Sequence, residues 1–538
     1  MVALAVGVAI GAVLYVRGWD RYVEAGLGNW AVDEVARRTD GAYRLILGDL
    51  DFRPIAGSLS FDSAIVVTDT VANRARAVPL PNLNVRADGC RISGVSVALL
   101  LLRHRFDARH MGCGSVTAGV QLQRLPGRVA DGPDPTDAQA PRERRPPPLG
   151  ITLFHITDIA FPTLAFSLQR PGPRGESSVS MKRARVTADL VELDPTAPLG
   201  AQNALLTQGV RFDASGFLLR PDTVSEFAIG AIRAGITDST FRLDSIIYGL
   251  RISDDAWART QRHRRDRITF ALSRLSGRGV AYRTFLRTGD INIRVLELSG
   301  ARLNVLSDKR LKPGPPGRHS TPQQAAQRSN PALRVDTVLI HGSQIVYQEH
   351  KPDREDAGQL TFAQLECRIA NVDVPSRGSP LLIDASARLM NEGLLTVHDT
   401  VPLDAPDFRF GLGGGLGPMP FTALNPFLQE TTPVRLKAGQ VDSVMFVMRA
   451  RGGVSTTTVT PYYRDLAIDF TSGGVLGFVK AGVVEFAANK FKVRSQNPEE
   501  AGKKPRSTTA SRSYEPTRSW LSFLWISLRD PLIKTIVK

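Results

Sequence analysis

Cysteine is scarce: Cys90, Cys113 and Cys367 are the only three in 538 residues. They show no CxxC spacing and their number is odd, so neither a zinc site nor a disulfide framework is implied. Cys90 and Cys113 are free to pair across neighbouring strands in an oxidising compartment, a point the sequence leaves open. Histidine is scattered: His104, His110, His155, His263, His319, His341, His350 and His398 contain no HExxH or similar metal spacing. There is no GxSxG elbow and no Walker loop. The glycine run at 411–417 (GLGGGLG) lacks the Lys-Ser or Lys-Thr pair of a phosphate cradle and reads as a flexible hinge. Adjacent carboxylates such as Asp254-Asp255 and Glu499-Glu500 sit in polar stretches, whereas acid–base work needs a shaped pocket. The sequence therefore offers no catalytic residue, no metal ligand and no cofactor, and the expectation is a protein that is not an enzyme.

What is abundant is positive charge and apolar alternation. The net charge is +16, a balance that favours polyanionic partners, either nucleic acid or anionic headgroups. Nucleic-acid binding calls for basic stripes interleaved with stacking aromatics. The aromatics here mostly share the apolar face instead, so no nucleic-acid partner is expected.

Residues 1–16 (MVALAVGVAIGAVLYV) carry no charged side chain and stop at Arg17. As a helix they span roughly 24 Å, a little short of the ~30 Å hydrocarbon core. Gly18 and Trp19, with Arg17 snorkelling, bring the segment close to spanning length. A cationic start and a small-residue cleavage site are both missing, which argues for an uncleaved anchor over 1–19. From Asp20 to Arg38, Tyr22, Leu27, Trp30, Ala31 and Val35 recur at helical spacing, and Asp40-Gly41 closes that helix.

From there the period changes to two. Tyr43, Leu45 and Leu47 alternate along one strand, as do Leu164, Phe166 and Leu168 along another. The same pattern recurs at Ile291, Ile293 and Val295, at Leu381 and Ile383, and at Leu466, Ile468 and Phe470. Strict alternation gives each strand one wet and one apolar face. Without long helices between strands, an antiparallel meander is expected in place of βαβ units. The fold class is mostly β: an N-terminal transmembrane helix, then an elongated, curled antiparallel sheet forming an open groove with few helices. The alternating residues just named, apart from Tyr43, are the candidate lining of that groove. A sheet open on its apolar side is unstable unless hydrocarbon or a second layer covers it, and few helices are available for that layer.

Three segments share one plan: 155–173 (HITDIAFPTLAFSLQRPGP), 293–315 (IRVLELSGARLNVLSDKRLKPGP) and 336–353 (DTVLIHGSQIVYQEHKPD). Each has an apolar-rich strand, a small or turn residue, a second strand, and an exit through a basic residue and proline. The stretch from Gly94-Val95 resembles the one from Gly279-Val280. Such repetition is how solenoid-like arrays grow. The resulting organisation is an anchor (1–19), a helix and first strands (20–125), a disordered linker (126–149), groove repeats (150–311), a linker (312–332), further groove repeats (333–496), a linker (497–517) and an amphipathic tail (518–538). In the tail, Trp520, Phe523 and Trp525 flanked by cations suit a headgroup interface, as does Trp19 at the anchor. Pro531 is expected to break any helix there. A helix capping the end of the sheet is the alternative reading of the tail.

The order of parts resembles the AsmA-like family of bacterial envelope proteins, relatives of the chorein-type bridge-like lipid carriers. The features that carry the resemblance are the anchor, the first strand Gly41-Ala42-Tyr43-x-Leu45-x-Leu47-Gly48, and the strand repeats. Pro420-Phe421-Thr422-Ala423-Leu424-Asn425-Pro426-Phe427, with Val434 to Val441 after it, is similar to a signature of the later sheet. Tyr462-Tyr463-Arg464-Asp465-Leu466 and the segment 520–538 are similar to the closing module. The resemblance implies a single-pass protein of the bacterial inner membrane with its bulk in the periplasm. It also implies binding and conduction of phospholipid along the groove in support of outer-membrane lipid homeostasis. Its expected partners are phospholipid, the inner membrane and outer-membrane proteins. The rival expectation is a non-catalytic envelope scaffold or tether.

Overall fold

The computed structural model describes residues 32–470 and 493–537, except 34, 38, 54–55, 77–79, 97–98, 100–101, 123–151, 173–174, 195–204, 316, 318, 501 and 518. The anchor at 1–19, most of the helix at 20–38 and the linker at 126–149 thus lie outside the described residues. The chain divides into two compact units, Met1–Asp244 and Ser245–Lys538. Both are mostly β.

The first unit opens with helical residues at 32–33 and 35–37, ended by left-handed backbone at Asp40 and Gly41. Its strands are β1 (Tyr43–Leu47), β2 (Leu50–Arg53), β3 (Ser58–Thr68), β4 (Asn82–Ser93), β5 (Arg105–Ala108), β6 (His110–Gln121), β7 (Leu153–Ile156), β8 (Ile159–Gly172), β9 (Gly175–Ala188), β10 (Leu190–Leu193), β11 (Leu205–Gln208), β12 (Arg211–Arg220) and β13 (Ser225–Gly235). One short helix, α1 (Thr70–Arg74), is capped by Asp69, whose carboxylate accepts from the Val71 and Ala72 N–H groups. β1 and β2 lie end to end along β3, and the ladder continues β3-β4-β6-β8-β9-β12-β13. A second, four-stranded sheet runs β11-β10-β7-β5. Phe106, Phe154 and Ile156 from the small sheet pack with Ile92, Ile159 and Ala188 from the large one, which closes a core at that end of the strands. Cys90 and Cys113 are direct partners on β4 and β6 and form a disulfide. β14 (Thr240–Leu250) follows.

The second unit contains α2 (Asp254–Thr260), β15 (Arg267–Arg278), α3 (Tyr282–Thr288), β16 (Ile291–Asp308), α4 (Pro322–Gln327), β17 (Leu333–His350), β18 (Ala357–Val374), β19 (Leu381–Leu389), β20 (Gly393–Val401), β21 (Phe410–Leu416), β22 (Met419–Pro420), α5 (Asn425–Thr431), β23 (Val434–Arg451), β24 (Val454–Phe470), β25 (Thr508–Ser513) and α6 (Trp520–Ile536). The ladder runs in chain order from β15 to β21 and then through β23, β24 and β25. At the β23–β24 turn, Gly452 and Gly453 both take positive φ, the conformation a two-residue hairpin of matching twist requires.

Several expectations change here. The sheets are not a pure meander: β6 pairs β8 in parallel, and β16 pairs β17 in parallel. A long connection between the partners returns the chain to the starting end, which a tight hairpin cannot do. The two segments at 293–315 and 336–353 are not strand pairs joined by a turn. Each contributes a single 18-residue strand, bent at Gly300 (φ 67) and Gly342 (φ 55). The small residue that looked like a hairpin turn is a mid-strand kink. The pairing sequence antiparallel, parallel, antiparallel occurs in β4-β6-β8-β9 and again in β15-β16-β17-β18. Gly94 and Gly279, matched in the sequence, have φ of 70 and 68, and a Cβ on either would strike Arg109 or Arg294 respectively. The glycine run at 411–417 is no hinge but largely strand β21, where a Cβ on Gly414 would fall 2.2 Å from the Thr396 carbonyl oxygen. Within 497–517, read as a linker, β25 pairs with β24. Within 312–332, α4 carries a capping box between Thr321 and Gln324. Pro531 does not break α6: it is itself fully buried, and packing of the helix outweighs the ~3 kcal/mol that an internal proline costs.

Candidate apolar binding face

Partners in a β-ladder present their side chains to the same face, so the register shows which alternating residues stand together. In the first unit one row crosses eight strands: Leu45, Val66, Val85, Ala118, Phe166, Met181, Phe217 and Ile229. A second runs Leu83, Val120, Leu168, Val179, Leu219 and Phe227. A third runs Leu47, Ala64, Ala87, Val116, Leu164, Ala184, Ala214 and Ile232. All five sequence candidates of this unit, Leu45, Leu47, Leu164, Phe166 and Leu168, fall in these rows. At ~4.8 Å per strand the eight-strand row is roughly 34 Å long.

The second unit repeats the device. Leu275, Leu298, Ile340, Cys367, Ala385, Val397, Gly414, Phe446 and Val459 form one row. Leu296, Val338, Ile369, Ile383, Asp399, Leu412, Met448 and Thr457 form the next. Ile383 therefore belongs to the apolar face, with Leu381 two residues away pairing Val401. Val295 does not. It precedes Leu296 directly, so it points the other way, to the face that carries Glu297. There Glu297, Leu339, Arg368, Asp384 and His398 run in register, and His398 Nδ1 lies 2.6 Å from Asp384. Ile291 is exposed and Ile293 buried, beside Leu333 and Val335.

Coverage differs along each sheet. Leu45 and Leu47 lie in a core with Val32 and Val35, so the first helix roofs that end of the rows. In the second unit α6 roofs β20 to β25: Phe523, 2% exposed, packs with Phe408, Phe410, Phe446, Met448 and Val459. Leu466 and Ile468 are packed with Phe421, Leu424 and Leu428, before and within α5, in a closed core. The side chain of Phe470 is outside the described residues. What stays uncovered is the middle of the rows. Leu164, Phe166, Leu168, Met181, Phe217 and Leu219 are half-buried and belong to no core cluster. Leu296, Leu298, Ile340, Ile369 and Ile383 are alike in this.

Of the interface candidates, Trp19 lies outside the described residues. Trp520 and Phe523 face the core under α6, because the apolar run covers the sheet end and is not free for headgroups. Trp525 alone stands out, 55% exposed. Among the described residues no helix is long and apolar enough to cross a membrane, and no group of three or more His, Cys, Asp or Glu could hold a metal.

Alternation found the strands but missed most of each row. Leu298 escaped because Leu296 and Leu298 alternate in the opposite phase to Ile291, Ile293 and Val295, and Phe217 because the positive-φ Gly216 before it resets the period. Positive-φ glycines inside apolar runs were the available signal. Asp399 was also missed. It is 5% exposed on the apolar row, its Oδ1 has no hydrogen-bond partner, and burial pushes its carboxyl up to about 6. Comparison with protein-family models and with curated proteins finds no match for this chain.

Proposed function

We propose that the chain is a non-enzymatic, membrane-anchored envelope protein that binds phospholipid acyl chains on these apolar faces and lets them move along the rows. The observation that carries the reading is the set of in-register, half-buried apolar rows over which the described residues place no second layer. Contiguous apolar surface of this kind marks a binding site. Burying an acyl chain contributes ~0.8 kcal/mol per CH₂, and a uniform lining lets the chain slide without chemistry. The Cys90–Cys113 disulfide fits an oxidising compartment such as the periplasm. The AsmA-like resemblance points the same way, with the inner membrane as the anchoring site and outer-membrane lipid homeostasis as the purpose.

The rival, a scaffold with ordinary packed cores, is favoured where the small sheet, the first helix, α5 and α6 close the sheet. The test is Phe166→Asp combined with Phe217→Asp in the full chain. A lipid carrier keeps its melting temperature within a few degrees and loses phospholipid that co-purifies in mild detergent, as read by native mass spectrometry. Unfolding of the double variant, or a lipid-free unaltered chain, would sink the proposal.

A further inference from the structure

A cleft of about 370 Å³ lies in the first unit over β9, β12 and β13, with Pro162 of β8 beside it. Ala184, Ala214 and Ile232 belong to an apolar row, so the residues next to them on each strand stand on the opposite face. On that face Arg183, Ser215 and Ala231 are direct partners, and so are Arg185, Asp213 and Arg233. Ser215 and Ala231 are too short to fill the space between the longer side chains and form a floor. Arg183, Arg185 and Arg233 line the cleft around that floor, and all three are exposed. Their donors are therefore within reach of a ligand from solvent.

The carboxylates nearby do not neutralise this cluster. Asp213 reaches only Arg233, at 4.0 Å. Asp244 on β14 holds Arg242 at 2.8 Å and stands 3.9 Å from Arg233. Among the described residues no carboxylate pairs with Arg183 or Arg185. The cleft thus sets three guanidinium forks against one lining carboxylate, Asp213. Guanidinium groups bind phosphate oxygens through paired N–H donors, and several of them together match a group with several charged oxygens. A phosphate monoester has three terminal oxygens and close to two negative charges at neutral pH. A diester has only two such oxygens and one charge. We propose that this cleft binds the phosphate of a phosphomonoester through Arg183, Arg185 and Arg233, with the Ser215 hydroxyl donating from the floor. The site is on the other face from the apolar rows, so it stands even if those rows hold no lipid. The same chemistry occurs in soluble phosphorylated compounds and in the headgroup of phosphatidic acid.

The probe is glycerol 3-phosphate titrated calorimetrically into the full chain at low salt, with dimethyl phosphate as the diester comparison. The monoester binds saturably and the diester about tenfold more weakly, for want of one oxygen and one charge. Arg183→Gln combined with Arg185→Gln weakens the monoester by about tenfold or more, while Asp213→Asn tightens it severalfold by removing the opposing charge. Both variants alter exposed side chains, and thermal melts confirm that they fold. Flotation with vesicles containing phosphatidic acid, against phosphatidylcholine alone, separates the sources. Only capture that the double arginine substitution abolishes is counted, because lipid held by the apolar rows does not depend on these residues. Such capture assigns the site to a lipid headgroup, and binding of glycerol 3-phosphate without it assigns the site to a soluble phosphomonoester; both uphold the site. No saturation at millimolar concentration, equal affinity for the two esters, or an affinity untouched by the double substitution overturns it. Should the double variant fail to fold, the ratio of the two esters on the unaltered chain still decides.

Discussion

Asp399 is the residue at which sequence and environment conflict most. Its ladder partners are Ile383 and Leu412, so a carboxylate has been placed among aliphatic side chains. Burial raises its pKa from 3.8 to about 6, only partly opposed by the Thr400 N–H. A raised folded-state pKa means that the protonated form is favoured on folding. That stability is fully present below pH ~4 and is lost as pH rises through ~6, roughly 3 kcal/mol at most. Asp399→Asn should therefore leave the melting temperature at pH 4 nearly unchanged and raise it at pH 7.5, flattening the profile between. A drop at pH 7.5 would mean that the charge is stabilised by something else. The kink at Gly342 is a second case. Glu366 accepts the Gly342 N–H at 2.7 Å and faces His341 at 2.8 Å, and these contacts hold its carboxyl below the usual range. A Cβ at Gly342 meets nothing, so Gly342→Ala isolates the cost of positive φ, about 1–2 kcal/mol in a denaturant titration.

At the level of elements, strand positions were readable because alternation survives wherever one face is wet. Leu164, Phe166 and Leu168 share one face of β8, as that rule expects. Val295 was not so legible, since Ile291-Asn292-Ile293-Arg294-Val295 alternates as cleanly as Leu296-Glu297-Leu298 and the period cannot say which set faces inwards. Parallel pairing at β6/β8 and β16/β17 was likewise hidden, because strand direction depends on where the connection returns and not on strand composition. The tail shows the same limit. Trp520, Phe523 and Trp525 share a composition that suits a membrane interface, yet two of them fill the core under α6. Phe523→Ala should cost ~3–5 kcal/mol, whereas Trp525→Ala should stay within ~0.5 kcal/mol. Thermal unfolding of the two variants side by side reads the difference, and equal losses would contradict the assigned faces.

For the molecule as a whole, each unit carries a broad apolar face roofed at one end of its rows and half-buried beyond it, against an opposite face carrying Arg, Asp, Glu and His. On the proposed lipid-binding reading, a chain treated with harsh detergent should bind the dye ANS strongly and release it when phospholipid is added. Fluorescence that is low and unmoved by lipid would show those faces to be closed. The bulk reading of a mostly β protein was available from the sequence because so few segments keep a helical period. Which residues line a common surface was not, because that depends on register.

Within each unit the large sheet's ladder largely follows the order of the chain, since β3, β4, β6, β8, β9, β12 and β13 dock in turn, as do β15 to β21 and then β23 to β25. A polypeptide delivered from its amino end can therefore zip onto its own growing edge. Each arriving segment finds its template already laid down, and the edge that awaits a partner advances with the chain.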